Sequence, residues 1–309
     1  MTRRRLVQAG LLATAAPLVA GAAPAGFGAH STAEEVTAGL DLGGLTAVVT
    51  GCNSGIGQET MRVLALRGAH VIGTARDMQK GRTACAAVRG KATPVVLELD
   101  DFDSVVACAD AIAAMDVPID ILVCNAGIVL GDLEQVRGLE KTFVVNHLGH
   151  YLLARRLLDR IVAAPQGRVV VLGSGSHRTA PPGGIQFDRL SGEGWGDRAY
   201  SHSKLANGLF SFELARRLDG TRATSNCVTP GHVRTNILRN VGDGYRADAR
   251  SVEQGAATPC YVATAPALAG VSGAYFADCA PATPDPMQTD PHAAQRLWAV
   301  SEELMRDWL

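Results

Sequence analysis

The chain has 309 residues, 47% hydrophobic and 19% charged, enough apolar length for one α/β domain to bury a core without disulfides or metal. A net charge of -1 provides no basic field to hold nucleic acid or an anionic membrane surface, so chemistry on a small molecule is the expected function. The seven cysteines are an odd, widely spaced set with no C-x-x-C pair and read as mostly buried thiols, while 34 glycines against 5% aromatics suit a fold with many tight strand-to-helix turns.

Residues 1–30 stand apart from the rest. Thr2-Arg3-Arg4-Arg5-Leu6-Val7 precedes an Ala-rich stretch with small-residue sites at Ala20-Gly21-Ala22 and Ala23-Pro24-Ala25, a layout similar to a twin-arginine export signal. A disordered tail or a misplaced start is the alternative, and the protein would then be cytoplasmic. Pro17, Gly21 and Pro24 interrupt the apolar run, so no stable membrane span is expected.

From residue 40 to 309 short β-branched runs alternate with helical patterns, which predicts one Rossmann-type, doubly wound parallel sheet of about seven strands flanked by helices. Thr46–Thr50 is the first strand and residues 56–67 the first helix, ended by Gly68. Between them lies Thr50-Gly51-Cys52-Asn53-Ser54-Gly55-Ile56-Gly57, a turn in which backbone N–H groups and a helix N-terminus can approach a pyrophosphate. An ordinary glycine-rich turn gives the same pattern when it stands alone.

The second strand, His70–Thr74, leads into Ala75-Arg76. An acidic side chain here would bind the adenosine ribose of NAD, whereas the basic Arg76 favours the 2′-phosphate of NADP; NAD is the less favoured cofactor. Strands three to five are placed at Pro94–Leu99, Ile119–Val123 and Gly167–Leu172, the sixth at Ala223–Val228 and the last at Gly273–Phe276. A helix over 198–218 carries Tyr200 and Lys204, four apart and therefore on one face. A nearby ammonium favours the phenolate of a tyrosine and brings it into range as an acid and base, which makes this pair the candidate proton-transfer site. Without context the pair would read as surface residues of an amphipathic helix.

Taken in order, the glycine turn, Asn125-Ala126-Gly127 after the fourth strand, Asn146 in the next helix, Ser174 after the fifth strand and Tyr200-Ser201-His202-Ser203-Lys204 resemble the short-chain dehydrogenase/reductase family. The resemblance spans roughly residues 41 to 305. Three segments, Asn146–His150, Ala199–Asn207 and Ser272–Cys279, are similar to the branch that holds the retinol dehydrogenases, the WW-domain-containing oxidoreductase and protochlorophyllide reductase.

That resemblance implies an NADP-dependent alcohol dehydrogenase or carbonyl reductase acting on a small apolar substrate, with Tyr200 as acid and base. It implies that Ser174 orients the substrate oxygen, with Ser176 as the weaker alternative, and that Asn146 kinks its helix and binds a water linking Lys204 to solvent. The implied cofactor site is Gly51, Asn53, Ser54, Gly55, Ile56, Gly57, Arg76, Asn125, Ala126, Gly127, Tyr200 and Lys204. It also takes in Asp100 at the adenine, with Asp101 as the alternative, and Pro230, Gly231, Val233 and Thr235 at the nicotinamide. The stretch 236–250 would be a mobile substrate lid, and a homo-oligomer is implied. His177, His202 and His232 lack metal-ligand spacing and read as satisfied polar residues, with substrate contact as the weaker alternative. A non-catalytic dinucleotide-binding regulator on the same fold is the alternative function.

Overall fold

Four consecutive buried residues, Thr46–Val49, form β1 at the centre of the sheet, where both faces are covered and the pattern is continuously apolar rather than alternating. The computed structural model describes residues 26–237 and 249–309. The Arg-rich start and most of the expected lid lie outside the described residues. Around β1 stand β2 (His70–Ala75), β3 (Lys91–Val96), β4 (Ile121–Cys124), β5 (Arg168–Leu172), β6 (Thr224–Thr229), β7 (Tyr275–Ala277) and β8 (Ala280–Pro281). Their spatial order is β8-β7-β6-β5-β4-β1-β2-β3, parallel except for β8.

The chain winds outward in opposite senses from β1 and β4, which pair with Ala47 opposite Ile121. Loops leaving the carboxyl ends of these two strands diverge, and the crevice between them is where a nucleotide binds in such sheets. Two core clusters cover the two faces. One is built on helices α3 (Phe102–Ala113), α4 (Gly149–Ala163), α5 (Ala199–Arg217) and α7 (Pro291–Leu304). The other is built on α1 (Gly55–Leu66), α2 (Met78–Ala86) and α6 (Ala257–Thr264). All seven cysteines are buried free thiols.

The fold departs from the sequence expectation in three places. An eighth strand, two residues long and antiparallel, closes one edge, and Pro281 is tolerated there because an edge strand need not donate on its outer side. The third strand is Lys91–Val96, three residues earlier than Pro94–Leu99. Leu97 and Leu99 are apolar because they bury beneath α3 and α4 after the strand has ended. Upstream of residue 40, a short helix Ala33–Val36, capped by Thr32 and Glu35, buries Ala33 and Val36, and Phe27 packs edge-on to Tyr261.

Candidate active site

The glycine turn follows β1 as expected. Gly51 adopts φ +73 and Gly55 φ +59, both left-handed, and a Cβ on Gly57 would overlap the Gly51 carbonyl and the Asn125 amide. Ser54 is the N-cap of α1 and its hydroxyl makes no capping hydrogen bond, so the first N–H groups of α1 are left for an anion. Ile56 is half-buried, and Asn53 lines an open cavity of about 260 Å³ with Gln58, Lys80 and Thr83.

The loop after β4 is tied to this turn. Thr50 Oγ1 accepts from the Asn125 and Ala126 amides at 2.9 Å each, and Asn125 Nδ2 donates to the Thr50 carbonyl at 2.7 Å. Gly127 sits where a Cβ would stand 3.1 Å from Asn146 Oδ1 and 3.7 Å from Lys204 Nζ, so these two side chains flank it.

Asn146 lies in a π-helical turn, Val144–Leu148, that leads into α4. Both of its side-chain amide protons are engaged, and its oxygen accepts one bond. Oδ1 accepts from Ile128 N at 2.8 Å, and Nδ2 donates to Ile128 O at 3.0 Å and to Ser203 Oγ at 2.9 Å.

Helix α5 is buried on nearly every side between the sheet and α7, which accounts for its weak amphipathic pattern. Lys204, 4% exposed, donates to the Leu172 carbonyl at 2.9 Å, and its Nζ stands 5.6 Å from the centre of the Tyr200 ring. Burial pushes the Lys204 pKa down to about 8. Beyond β5, Ser174 Oγ donates to Ser176 Oγ and accepts from Ser176 N, both at 3.2 Å. Thr179 and Ser201 hydroxyls at 2.8 Å stitch this turn to α5 one residue past Tyr200. His177 donates from Nδ1 to the Ser174 carbonyl at 2.6 Å and accepts from Asp285 N at 3.0 Å.

The apparent insertion 178–198 is anchored from inside by Ile185, Leu190 and Trp195. Trp195 stacks on His202 at 3.8 Å, and His202 Nε2 accepts from Gln186 N. His177 is thus a satisfied polar residue, whereas His202 is satisfied at Nε2 only: its buried Nδ1 has no hydrogen-bond partner among the described residues, because the ring is stacked against Trp195.

At the adenosine end Arg76 is exposed just past β2. Asp77, the nearest carboxylate, is engaged as the N-cap of α2 and accepts from Lys80 N at 2.7 Å. Asp100 lies 3.7 Å from Lys141 Nζ, while Asp101 caps α3. Glu98, which sequence reasoning passed over, has its pKa raised to about 7 by burial and by Asp100, against the opposing pull of Arg76 and Lys141. A charged residue two before Asp100 at the close of an apolar run was its signal.

At the other end of the crevice Pro230 is half-buried and Val233 buried, and Thr235 Cγ2 would stand 3.4 Å from a Cβ on Gly55. Gly231 has φ +78, and the Arg250 guanidinium occupies the space a Cβ would take. Arg250 pairs with Asp278 at 2.6 Å, and a β-bridge joins it to Val233.

A Rossmann-type sheet whose switch point carries an open glycine turn, facing a helix with Tyr and Lys one turn apart, defines a dinucleotide-binding oxidoreductase scaffold. The chain belongs to the short chain dehydrogenase family, whose sequence model matches residues 45–246. It is 39% identical over 303 residues to the WW domain-containing oxidoreductase of Pongo abelii, covering 92% of this chain and 73% of that protein. It is 38% identical over 280 residues to retinol dehydrogenase 12 of Bos taurus, covering 86% and 88%. Among solved structures, an uncharacterised protein from Mycobacterium paratuberculosis superposes with a TM-score of 0.72 at 31% identity, covering 88% of this chain and 97% of that one. A gluconate 5-dehydrogenase from Beutenbergia cavernae with NADP bound gives 0.62 at 25%, covering 76% and 95%. The family binds NAD or NADP and acts on small molecules. No helix among the described residues is long and apolar enough to cross a membrane.

Proposed function

We propose that the protein is an NADP-dependent oxidoreductase that interconverts an alcohol and a carbonyl group on a small apolar substrate, with Tyr200 as acid and base. The observation that carries this reading is the buried Lys204 ammonium beside the Tyr200 ring. With a pKa near 8 it stays mostly cationic at neutral pH and favours loss of the phenolic proton. When bound, the dinucleotide would supply or accept hydride at the nicotinamide C4.

Tyr200 gives its proton to the nascent alkoxide in reduction and takes it back in oxidation. Ser174 hydrogen-bonds the substrate oxygen, and Ser176, 3.2 Å away, holds the Ser174 hydroxyl ready. Asn146 would hold a water between Lys204 and solvent through its backbone carbonyl, both of its side-chain N–H groups being engaged by Ile128 and Ser203.

Gly51, Asn53, Ser54, Gly55, Ile56 and Gly57 would hold the pyrophosphate, and Asn125, Ala126 and Gly127 the nicotinamide ribose together with Tyr200 and Lys204. Arg76 would meet the 2′-phosphate and Asp100 the adenine, while Pro230, Gly231, Val233 and Thr235 would line the nicotinamide. NADP is favoured over NAD because Arg76 is exposed and Asp77 is already engaged as a cap. An apolar substrate is favoured by the name of the retinol dehydrogenase relative.

The test is NADPH consumption with a panel of retinal, decanal and a ketosteroid. Tyr200→Phe should lose about 10²- to 10⁴-fold in turnover, and unchanged turnover overturns the assignment. Tight NADPH binding with no turnover on any panel member would instead make the protein a cofactor-holding regulator.

Export of the folded, cofactor-loaded chain belongs to the same proposal and rests on residues 2–25; recovery of uncleaved protein in the cytosol removes it. The implied homo-oligomer would join largely polar surfaces, since the exposed large hydrophobics among the described residues are Val96, Leu133, Val162 and Leu309. Sedimentation measures its size.

A further inference from the structure

Three buried histidines line the inner face of the segment that opens α4 and the helix beside it, and one of them touches the candidate proton path. His150 is 1% exposed. Its Nδ1 lies 3.1 Å from the Asn146 carbonyl and its Nε2 lies 2.8 Å from Thr50 Oγ1. A carbonyl can only accept, so Nδ1 carries the proton. Burial and the nearby Lys204 ammonium hold the ring neutral, with a pKa near 4, so Nε2 is an acceptor and the Thr50 hydroxyl donates to it at 2.8 Å rather than to the Val123 carbonyl at 3.4 Å.

The bonds close a ring. Thr50 Oγ1 accepts from the Asn125 and Ala126 amides and donates to His150. His150 donates to the Asn146 carbonyl, and the Asn146 side chain returns to the backbone of Ile128, two residues past Ala126. His150 thus joins the strand end before the glycine turn directly to the π-helical turn.

We propose that His150 is a positioning residue that aims the Asn146 carbonyl at the proton path of Lys204. Packing alone does not account for an imidazole here. An apolar side chain of similar volume would fill the space without two nitrogens to satisfy, and a buried hydrogen-bonded pair adds little net stability over that. What the imidazole adds is direction: a donor fixed on one side because its acceptor is occupied on the other. The inference deepens the proposed reading of Tyr200, Lys204 and Asn146 and rests on it.

The test uses the full-length protein with NADPH and the most rapidly reduced of retinal, decanal and the ketosteroid. His150→Leu removes both bonds. His150→Asn keeps a donor near the Nδ1 position toward Asn146, and His150→Gln places its amide toward Thr50 instead. The expected result is that His150→Leu loses about 10- to 100-fold in kcat, holds the NADPH Kd by fluorescence titration within about threefold, and enlarges the solvent deuterium isotope effect on kcat. His150→Asn should regain most of that loss and His150→Gln should not.

Comparison of the Asn and Gln variants stands even if His150→Leu does not fold. A fall in Tm with kcat of the folded enzyme unchanged, or Gln equal to or better than Asn, overturns the proposal. If Tyr200→Phe abolishes turnover and the His150 variants do not impair it, this inference alone falls. If Tyr200→Phe is harmless or no panel member is reduced, the underlying reading falls first.

Discussion

The two ends of the crevice are held by opposite means. At the reaction end, Thr50, Asn146, His150 and Ser203 are buried and bonded to one another or to backbone in one low-dielectric network, and the buried Lys204 beside it is bonded to the Leu172 carbonyl. At the adenosine end, Arg76 is exposed, and Glu98, Asp100, Glu134 and Lys141 form a part-exposed ionic group with side chains up to half accessible. Buried neutral bonds fix geometry because leaving any one unmade is costly. Exposed charges tune affinity and are weak individually. The chemistry is therefore expected to be rigid and sensitive, and cofactor choice to be adjustable in small steps.

Changing Lys204 to Met separates these two qualities most sharply. It should lower kcat/KM about 10³-fold while leaving Tm unchanged or higher, because an apolar residue replaces a desolvated ammonium with no carboxylate partner among the described residues; steady-state kinetics beside thermal unfolding measures both. In the unmodified protein the sign follows from a depressed cation pKa. The Lys204 charge is lost as pH rises through about 8, so a falling limb in kcat/KM near pH 8 is expected.

Ser174→Ala should cost about 10²-fold in kcat, and Ser176→Ala less, since Ser176 only supports the Ser174 hydroxyl. If both variants fall equally, the two serines act as one unit.

At the adenosine end, Arg76→Ala should weaken NADPH about tenfold and leave NADH nearly unchanged, as expected for a charge-assisted bond; fluorescence titration of both cofactors checks it. The smallest effect is on pH. Glu98 has a raised pKa, so its carboxylate forms as pH rises through about 7 and then faces Arg76, Asp100 and Lys141 with a negative charge. NADPH should bind about threefold more tightly at pH 6 than at pH 8, and Glu98→Gln should flatten the profile.

The reaction end was legible in the sequence because its spacings are set by the fold. The turn after β1 and Asn125–Gly127 after β4 lie at the strand ends where the family resemblance put them, and Tyr200 and Lys204 share a helix face as their four-residue spacing requires. The network behind them was not. Thr50 reads as the last residue of a strand, and His150 as one polar residue on a helix. Their contact joins residues a hundred positions apart, which no local pattern records. The third strand was misplaced because Leu97 and Leu99 are buried by helices beyond the sheet, so apolar character did not mark strand membership. The eighth strand and the small ribbon Gln135–Val136 with Leu139–Glu140 are too short for any alternation to show.

Arg250 bears on how such a protein can diversify. By bridging to Val233, filling the space beside Gly231 and gripping Asp278, it draws the chain leaving the nicotinamide segment back to its own starting point, like a drawstring at the neck of a bag. A loop closed in this way can double in length for only about 0.6 kcal/mol of added closure entropy. Length and composition can thus vary between Val233 and Arg250 while the neck stays as it is.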